Sequence, residues 1–254
     1  MILIKRRDWF IKISLQLNNM EISKDIEIVD LALYFKKEKT LILGDLHIGY
    51  EEQMHQKGIF VPKFQTKEII DKIQSIIKKT NPKTIVINGD LKHDFGKNSE
   101  QEWKDIFKLI ELIKKSCEEL IFVKGNHDNF LKTIAAQKNI TVVEQYQIKD
   151  TLIIHGDKLI ETEAKRIIIG HEHPAITLKD KGKLEKYKCF LKGKYKRKEL
   201  IVLPSINPLS YGTDVRNSNH SPFVKDKSDF EVFISNKGEV FNFGKVKNFQ
   251  ALER

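Results

Sequence analysis

Hydrophobic residues recur at two different periods along the chain, and the period distinguishes predicted strands from predicted helices. Between Val29 and Phe35 they occupy every second position, which is the pattern of a strand with one buried face. In segments 64–79 and 103–113 they fall on one face at helical spacing. Short apolar runs predict further strands at 40–43, 84–87, 120–123, 140–148, 151–154, 166–169, 200–203, 230–234 and 239–243.

The order of these segments predicts an α/β fold. Strands alternate with helices in the first half of the chain, whereas strands dominate the second half. This order is typical of two packed sheets with helices outside them. The chain contains no internal repeat, low-complexity tract or linker, so we predict a single domain over residues 20–254. Residues 1–19 show no clear period, and we expect this N-terminal extension to be dispensable.

The composition favours a globular protein without a membrane segment. Hydrophobic residues make up 40% of the 254 residues, which is enough for a core. No apolar stretch approaches the roughly 18 residues that a membrane span needs. Asp8 interrupts the sequence after the basic N-terminus, which argues against a secretory signal. The two cysteines, Cys117 and Cys189, form no CxxC pair, and we expect them to be reduced thiols in a cytoplasmic protein.

The net charge of +10 is unevenly distributed, because residues 179–198 contain ten Lys or Arg against Asp180 and Glu185. One interpretation is a surface that attracts polyanions such as nucleic acid. The other is a solvated hairpin in a lysine-rich protein. Of the 45 basic residues 39 are Lys, and Arg, which contacts phosphate through two parallel hydrogen bonds, is scarce. The hairpin interpretation is therefore slightly favoured.

Five predicted strands end in runs that combine glycine with Asp, Asn or His. A Gly-Asp pair after a strand is usually a turn, and a single His is usually structural. Side chains at the carboxyl ends of strands in an open α/β sheet can meet in one site, however. Six of the eight histidines fall in these runs, which together indicate such a site. The runs are Gly44-Asp45-Leu46-His47, Gly89-Asp90-Leu91-Lys92-His93, Gly125-Asn126-His127-Asp128, His155-Gly156-Asp157 and Gly170-His171-Glu172-His173.

The residue types in these runs indicate divalent cations. Carboxylates, an amide and imidazoles without a thiolate suit Mn²⁺, Fe²⁺, Co²⁺ or Zn²⁺ and disfavour iron–sulfur or structural zinc sites. There are too many candidate ligands for one ion. Two ions about 3.5–4 Å apart that share a carboxylate would use them all, and such pairs catalyse in-line displacement at phosphorus.

The set of motifs from Asp45 to His173 resembles the calcineurin-like metallophosphoesterase superfamily, in the superfamily's order. Within it the resemblance is closest to the archaeal phosphoesterases related to the SbcD-type nuclease subunit of double-strand-break repair. Asn207-Pro208-Leu209 also fits that group. The resemblance implies a four-layer αββα sandwich of the metallo-dependent phosphatase type.

The resemblance also implies two divalent ions, with Mn²⁺ favoured and Fe²⁺, Co²⁺, Zn²⁺ or Ni²⁺ as alternatives. Seven side chains would hold them: Asp45, His47 and His173 at the first ion, Asn126, His155 and His171 at the second, and Asp90 as a bridge. A hydroxide bound to the metals would attack the phosphorus. His127 would be the general acid for the leaving oxygen, Asp128 would orient it, and His93 would contact the scissile phosphate.

Phosphodiester hydrolysis of a nucleic acid or nucleotide is the favoured function, because His93 after Asp90 matches the nuclease-like branch. After Gly212 we expect too little chain for the DNA-capping domain and helical arms of the repair nucleases, so a cyclic nucleotide or short single strand is an equal candidate. A phosphomonoesterase or protein phosphatase is the first alternative, although its arginine-bearing motif is replaced here by Leu91-Lys92-His93. The second is a non-catalytic interaction module, as in a retromer subunit. Such modules have lost ligands, and none is missing here.

Overall fold

A computed structural model describes residues 5–6, 9–10, 20–59, 64–93, 100–128, 131–138, 140–180, 183–217, 219–236 and 238–250. Two short strands, β1 (Lys5–Arg6) and β2 (Trp9–Phe10), pair with each other. Most of the N-terminal extension lies outside the described residues. The single domain over 20–254 and the dispensable extension therefore stay predictions.

The first sheet has seven strands in sequence order, and its last four strands are parallel. Parallel strands bring their carboxyl ends to one edge of the sheet, which matters for the site described below. The strands are β3 (Met20–Ser23), β4 (Ile26–Val29), β5 (Ala32–Phe35), β6 (Thr40–Leu43), β7 (Thr84–Asn88), β8 (Glu119–Val123) and β9 (Thr141–Val143).

The second sheet has nine strands, of which β11, β12 and β15 are parallel. Its path runs β10-β11-β12-β15-β14-β13-β16, and β17 with β18 joins it at β14. The strands are β10 (Tyr146–Ile148), β11 (Thr151–Ile154), β12 (Arg166–Ile169), β13 (Pro174–Asp180), β14 (Lys183–Tyr195), β15 (Lys198–Val202), β16 (Thr213–Asp214), β17 (Glu231–Asn236) and β18 (Glu239–Lys245).

The described residues contain five helices, two of which correspond to the predicted segments 64–79 and 103–113. They are α1 (Tyr50–Gln56), α2 (Gln65–Thr80), α3 (Glu100–Lys114), α4 (Leu131–Lys138) and α5 (Val246–Gln250). The predicted helix over 64–79 is confirmed as α2, which buries its isoleucine face and ends at Asn81 in a left-handed conformation. None of these helices is both long enough and apolar enough to cross a bilayer.

Three hydrophobic layers confirm the predicted sandwich. Side chains such as Ile42 of the first sheet and Ile201 of the second fill the space between the sheets. Helices α2, α3 and α4 cover the outer face of the first sheet, where Ile73 and Ile110 are fully buried. The outer face of the second sheet packs against α5 and the irregular segments 215–217 and 219–230, the second of which contributes Phe223. That outer layer therefore contains more loop than helix within the described chain.

Two predicted strands are each divided in the structure. The alternation from Val29 to Phe35 crosses a two-residue turn at Asp30 and Leu31, with Val29 paired to Ala32. The alternation conceals this turn because Leu31 is itself buried. The predicted strand 140–148 is two strands, since β9 pairs with β8 in the first sheet and β10 pairs with β11 in the second.

We expect the layer between the sheets to contribute strongly to stability. Ile201, which is 0% exposed, should cost about 2–5 kcal/mol of unfolding free energy when replaced by Ala, because the change removes buried methyl groups and leaves a cavity. Ile59 is 51% exposed and provides the matched control, for which Ile59→Ala should change stability by less than about 0.5 kcal/mol. Chemical denaturation of both variants measures this difference. Equal losses would contradict the assignment of the core.

Candidate metal centre

The five runs of the sequence follow the carboxyl ends of β6, β7, β8, β11 and β12, and the structure brings all five together. The loops after β6 and β7 lie side by side, because the backbone N–H groups of Leu46 and His47 both donate to the Asp90 carbonyl at 2.9 Å. Asn88 Nδ2 donates to the Ile154 carbonyl at 2.8 Å and so links the two sheets. The site lies where the two sheets meet.

Buried carboxylates connect these loops to one another. Asp45 Oδ2 accepts the backbone N–H of His171 at 3.0 Å. Asp90 Oδ1 accepts the backbone N–H of His127 at 2.9 Å. Each bond joins the end of one strand to the loop that follows another strand, so the carboxylates position the neighbouring histidines as well as facing them.

The first group of candidate ligands contains Asp45, His47 and His173, whose ligand atoms lie within 4.8 Å of one another. The Nε2 atoms of the two histidines are 3.2 Å apart, and Nε2 of His173 is 3.1 Å from Asp45 Oδ2. These are the residues predicted at the first ion. The structure places them together.

The second group contains Asp45, Asp90 and His155, again within 4.8 Å. His155 Nδ1 is 3.3 Å from Asp45 Oδ1, and its Nε2 is 3.6 Å from Asp90 Oδ2. His155 Nε2 also lies 2.8 Å from Asn126 Oδ1 and 3.1 Å from His171 Nδ1. All seven predicted ligands therefore adjoin one cluster, in which Asp45 belongs to both groups.

The donor atoms of this cluster fit a divalent cation. Asp45 is 0% exposed, and its Oδ1 makes no hydrogen bond of good geometry among the described residues. The same holds for the buried Nδ1 of His47. A buried carboxylate needs a compensating positive charge, and imidazole nitrogens that approach each other within 3.2 Å cannot all donate protons to one another. A cation between them would satisfy both requirements.

The backbone at the cluster is strained where ligands are displayed. His47, His171 and His173 have φ values of 44°, 58° and 43°, a left-handed conformation that is uncommon for residues with a Cβ. Gly89 and Gly125 allow the loops to approach, since a Cβ at Gly89 would lie 2.0 Å from His155 Nδ1 and one at Gly125 would lie 2.1 Å from Asp90 Oδ1. The glycines of the runs are thus required by the geometry of the cluster.

His93 and His127 lie beside the cluster and are partly exposed. Their rings are parallel to within 11°, with centroids 6.2 Å apart, and both adjoin His47. His127 Nε2 is 3.9 Å from Asp90 Oδ2. On α1, Gln53 Oε1 lies 2.9 Å from His93 Nε2, and the Tyr50 ring lies 4.2 Å from the His93 ring. Two imidazoles therefore border the cluster on a side that solvent can reach.

Asp128 is almost completely buried next to His127. Its carboxylate accepts the backbone N–H groups of Leu91 at 3.0 Å and Gly125 at 2.9 Å. Burial lowers the pKa of His127 below its ordinary value. The charge of Asp128 raises that pKa and offsets only part of the effect. The orienting role predicted for Asp128 stays a prediction, and its bonds show that it holds two loops.

Electrostatic shifts are concentrated in the cluster. Burial opposes ionisation of Asp45, but the charges of His173 and His155 outweigh it and the pKa of Asp45 lies well below its usual range. Burial and the charge of Asp45 raise the pKa of Asp90 to about 6. Burial also opposes the charge on His155, yet Asp45 and Asp90 raise its pKa to about 9. Burial and the charge of His155 lower the pKa of His171 to about 4.

Several residues that support the cluster were not predicted from the sequence. Gln65 Nε2 and Asn207 Nδ2 donate to the His47 carbonyl at 2.8 and 2.9 Å, and Ser205 Oγ donates to the Asp45 carbonyl at 2.8 Å. These residues donate hydrogen bonds to backbone carbonyl groups, so their positions in the sequence do not form a metal-ligand motif. Of the three, only Asn207 had a sequence indication, because Asn207-Pro208-Leu209 is among the motifs that fit the family resemblance.

Glu172 is a further support, located between two candidate ligands of the last run. It is buried and accepts the backbone N–H groups of His220 and Ser221, each at 2.8 Å. Lys227 Nζ lies 3.4 Å from its other oxygen. The segment after β16 therefore fixes the turn that displays His171 and His173.

The sequence of residues 38–236 matches the calcineurin-like phosphoesterase family, and the chain belongs to that family. This confirms the predicted superfamily, which suggests a hydrolase of phosphoester bonds and typically binds divalent metals. None of the curated proteins compared with the chain shows a significant match.

One of the solved structures compared with the chain shares its fold, and others show weaker similarity. The nuclease MPE of Pseudomonas putida has a TM-score of 0.65 at 16% identity, over 90% of this chain and 100% of the nuclease. A protein of unknown function from Aquifex aeolicus has a TM-score of 0.36 at 18% identity, over 53% of this chain and 78% of its own. Wild-type Vps29 of Entamoeba histolytica complexed with zinc has a TM-score of 0.34 at 14% identity, over 81% and 99%. At 16% identity the similarity to the nuclease MPE concerns the fold alone.

Binding of a divalent cation to the metal-free protein should release a proton from His155. With its pKa raised to about 9, His155 is charged at pH 7, whereas a metal ligand must be neutral. We expect at least one proton per chain, measured by titration calorimetry with Mn²⁺ in buffers of different ionisation enthalpy. His155→Asn should lower the release by about one proton. His171→Asn should leave it unchanged, because His171 is already neutral at pH 7. No release from the unmodified protein would contradict this charge assignment.

Proposed function

We propose that this protein is a phosphodiesterase that uses two divalent ions, Mn²⁺ being favoured, to hydrolyse nucleic acid or a nucleotide. The observation that carries the proposal is the position of His93 and His127 beside the cluster of metal-ligating side chains, on its partly exposed side. A cation site and two groups that can contact or protonate a phosphoester are thus adjacent. The fold shared with the nuclease MPE supports a nucleic acid substrate.

Each candidate ligand has a proposed place. Asp45, His47 and His173 would hold the first ion, and Asn126, His155 and His171 the second. Asp90 would bridge the ions, as the family resemblance implies, although Asp45 is the carboxylate that the described geometry puts in both groups. When bound, the cations would acidify a water molecule and neutralise the charge of the phosphate oxygens.

The chain's own residues would complete the reaction. The leaving oxygen needs a proton as the ester bond breaks, and His127 is the proposed general acid because its Nε2 lies at the edge of the cluster, 3.9 Å from Asp90. His93 would contact the scissile phosphate and stabilise its charge, with its ring held by Gln53 and Tyr50. Asp128 would keep His127 in position through its bonds to the backbone.

Two finer assignments belong with this proposal. The motifs favour a relationship to the archaeal SbcD-related phosphoesterases within the family. The two cysteines, of which Cys189 is fully buried, are consistent with reduced thiols and with a cytoplasmic location.

The proposal predicts that His127 and Asp90 fail in different ways when changed. His127→Asn should reduce turnover of bis-p-nitrophenyl phosphate by about 10²–10⁴-fold while Mn²⁺ binding persists, since the acid is lost and the ligands remain. Asp90→Asn should abolish turnover and weaken Mn²⁺ binding. Steady-state kinetics and calorimetry distinguish these outcomes. Loss of metal binding in His127→Asn would show that His127 is a ligand rather than the acid.

Substrate class requires a panel of phosphoesters. With Mn²⁺ present, we expect hydrolysis of bis-p-nitrophenyl phosphate and single-stranded DNA, and we would compare p-nitrophenyl phosphate, a phosphopeptide and cyclic nucleotides. Activity confined to p-nitrophenyl phosphate or the phosphopeptide would replace this proposal by a phosphomonoesterase. Absence of activity on every substrate would favour a binding module.

A further inference from the structure

The basic stretch 179–198 is divided between two distant places in the fold. Strand β14 contains 13 residues, which span about 40 Å at the usual rise per residue. Its first part pairs with β13, and its later part pairs with β15 and β17. Lys194 and Lys196 therefore lie far from the hairpin that β13 and β14 form, although they belong to the same run of sequence.

Only the β13–β14 hairpin adjoins the metal centre. Lys188 Nζ donates to the carbonyl of Ser205 at 2.9 Å and to the carbonyl of Asn207. Ser205 and Asn207 are the residues that hold the backbone of the candidate ligands Asp45 and His47. The turn after Tyr195 lies at the other end of β14, because β15 runs antiparallel and reaches Ser205 only at its carboxyl end.

The strand register identifies which residues of the hairpin face the centre. Lys188, Lys186 and Leu184 alternate along β14 and so point to one face, opposite Ala175, Thr177 and Lys179 of β13. Lys186 Nζ donates to the Gly212 carbonyl at 2.5 Å, which fixes this face toward the loop beside the centre. Lys179 and Leu184 extend the same face away from the centre. Both are exposed, Leu184 by 70%.

Tyr211 occupies the junction between the hairpin face and the metal centre. Its neighbour Ser210 has Oγ 3.4 Å from Nδ1 of His173, and its other neighbour Gly212 accepts the hydrogen bond from Lys186. Tyr211 is nevertheless 67% exposed. A large aromatic residue next to a candidate ligand and a basic face is thus accessible to a ligand in solution.

We propose that Tyr211, Lys186, Lys179 and Leu184 form a track that holds single-stranded nucleic acid as it leaves the metal centre, with a base stacked on Tyr211. The inference rests on the proposed function and specifies its substrate. Single strands are bound by positive side chains that follow the phosphates and by aromatic rings that stack on unpaired bases. The track combines both features within reach of the proposed ligand His173.

Strand binding in EDTA tests the track without requiring activity. Fluorescence anisotropy with a labelled oligothymidylate of about 12 nucleotides measures the dissociation constant. Tyr211→Ala should weaken binding by roughly 5- to 100-fold, because a stacking partner is lost. Tyr211→Phe keeps the ring and should bind like the unmodified protein. With Mn²⁺ present, Tyr211→Ala should raise KM for the oligonucleotide more than it lowers kcat.

Two double lysine substitutions distinguish binding by the track from a general effect of positive charge. Lys179→Gln with Lys186→Gln should reduce the slope of log K against log salt by about 1.4, since each phosphate contact to a single strand contributes about 0.7. Lys194→Gln with Lys196→Gln makes the same change of charge at the distant end of β14, and it should leave the slope and the turnover of bis-p-nitrophenyl phosphate unchanged.

Equal effects of the two lysine pairs, or binding by Tyr211→Ala as tight as before, would overturn the track. So would hydrolysis of bis-p-nitrophenyl phosphate by a protein that does not bind the oligonucleotide, an outcome that leaves phosphodiester hydrolysis intact. If instead the oligonucleotide binds through Tyr211 but no phosphoester is hydrolysed, the proposed function fails and the track is supported.

Discussion

Two buried carboxylates, Asp45 and Asp90, hold the loops of the candidate metal centre against each other. Each accepts a backbone N–H from the loop of another strand, so the candidate ligands cannot be positioned independently of the carboxylates. Burial penalises a negative charge unless a positive charge faces it. Among the described residues, the ring of His155 lies 3.3 Å from the Asp45 carboxylate and 3.6 Å from the Asp90 carboxylate. A pair of cations would provide that compensation more completely and would hold the same loops together.

This constraint explains why the supporting residues are polar and buried. Glu172 and Asn207 fix the backbone on either side of the ligands through hydrogen bonds to segments far away in sequence. The left-handed backbone of His47, His171 and His173 is unfavourable by about 1–3 kcal/mol per residue, and such strain persists only where surrounding bonds determine it. Hydrogen bonds thus fix the backbone of the candidate metal centre, while its exposed rim, with His127 and Tyr211, is accessible to a substrate.

The clustering of the candidate ligands was largely predictable from the sequence, whereas the residues that support the cluster were not. Asp45, Asp90 and Asn126 could be identified because each follows a short buried strand and stands next to glycine, a repeated pattern that topology then brings to one edge. Gln65 and Ser205 hold carbonyl groups, and any residue with a suitable donor could do so, which leaves no pattern. The same limit affected the strands. Leu31 is apolar although it lies in a turn, so alternation alone could not locate the end of β4.

The number of ions in the cluster tests the central claim most directly. Crystals of the protein soaked in Mn²⁺ and measured at a wavelength where manganese scatters anomalously would locate each ion. The account predicts two anomalous peaks about 3.5–4 Å apart, with Asp90 between them and three of the remaining ligands at each. A single peak, or none among Asp45, Asp90 and His155, would contradict it.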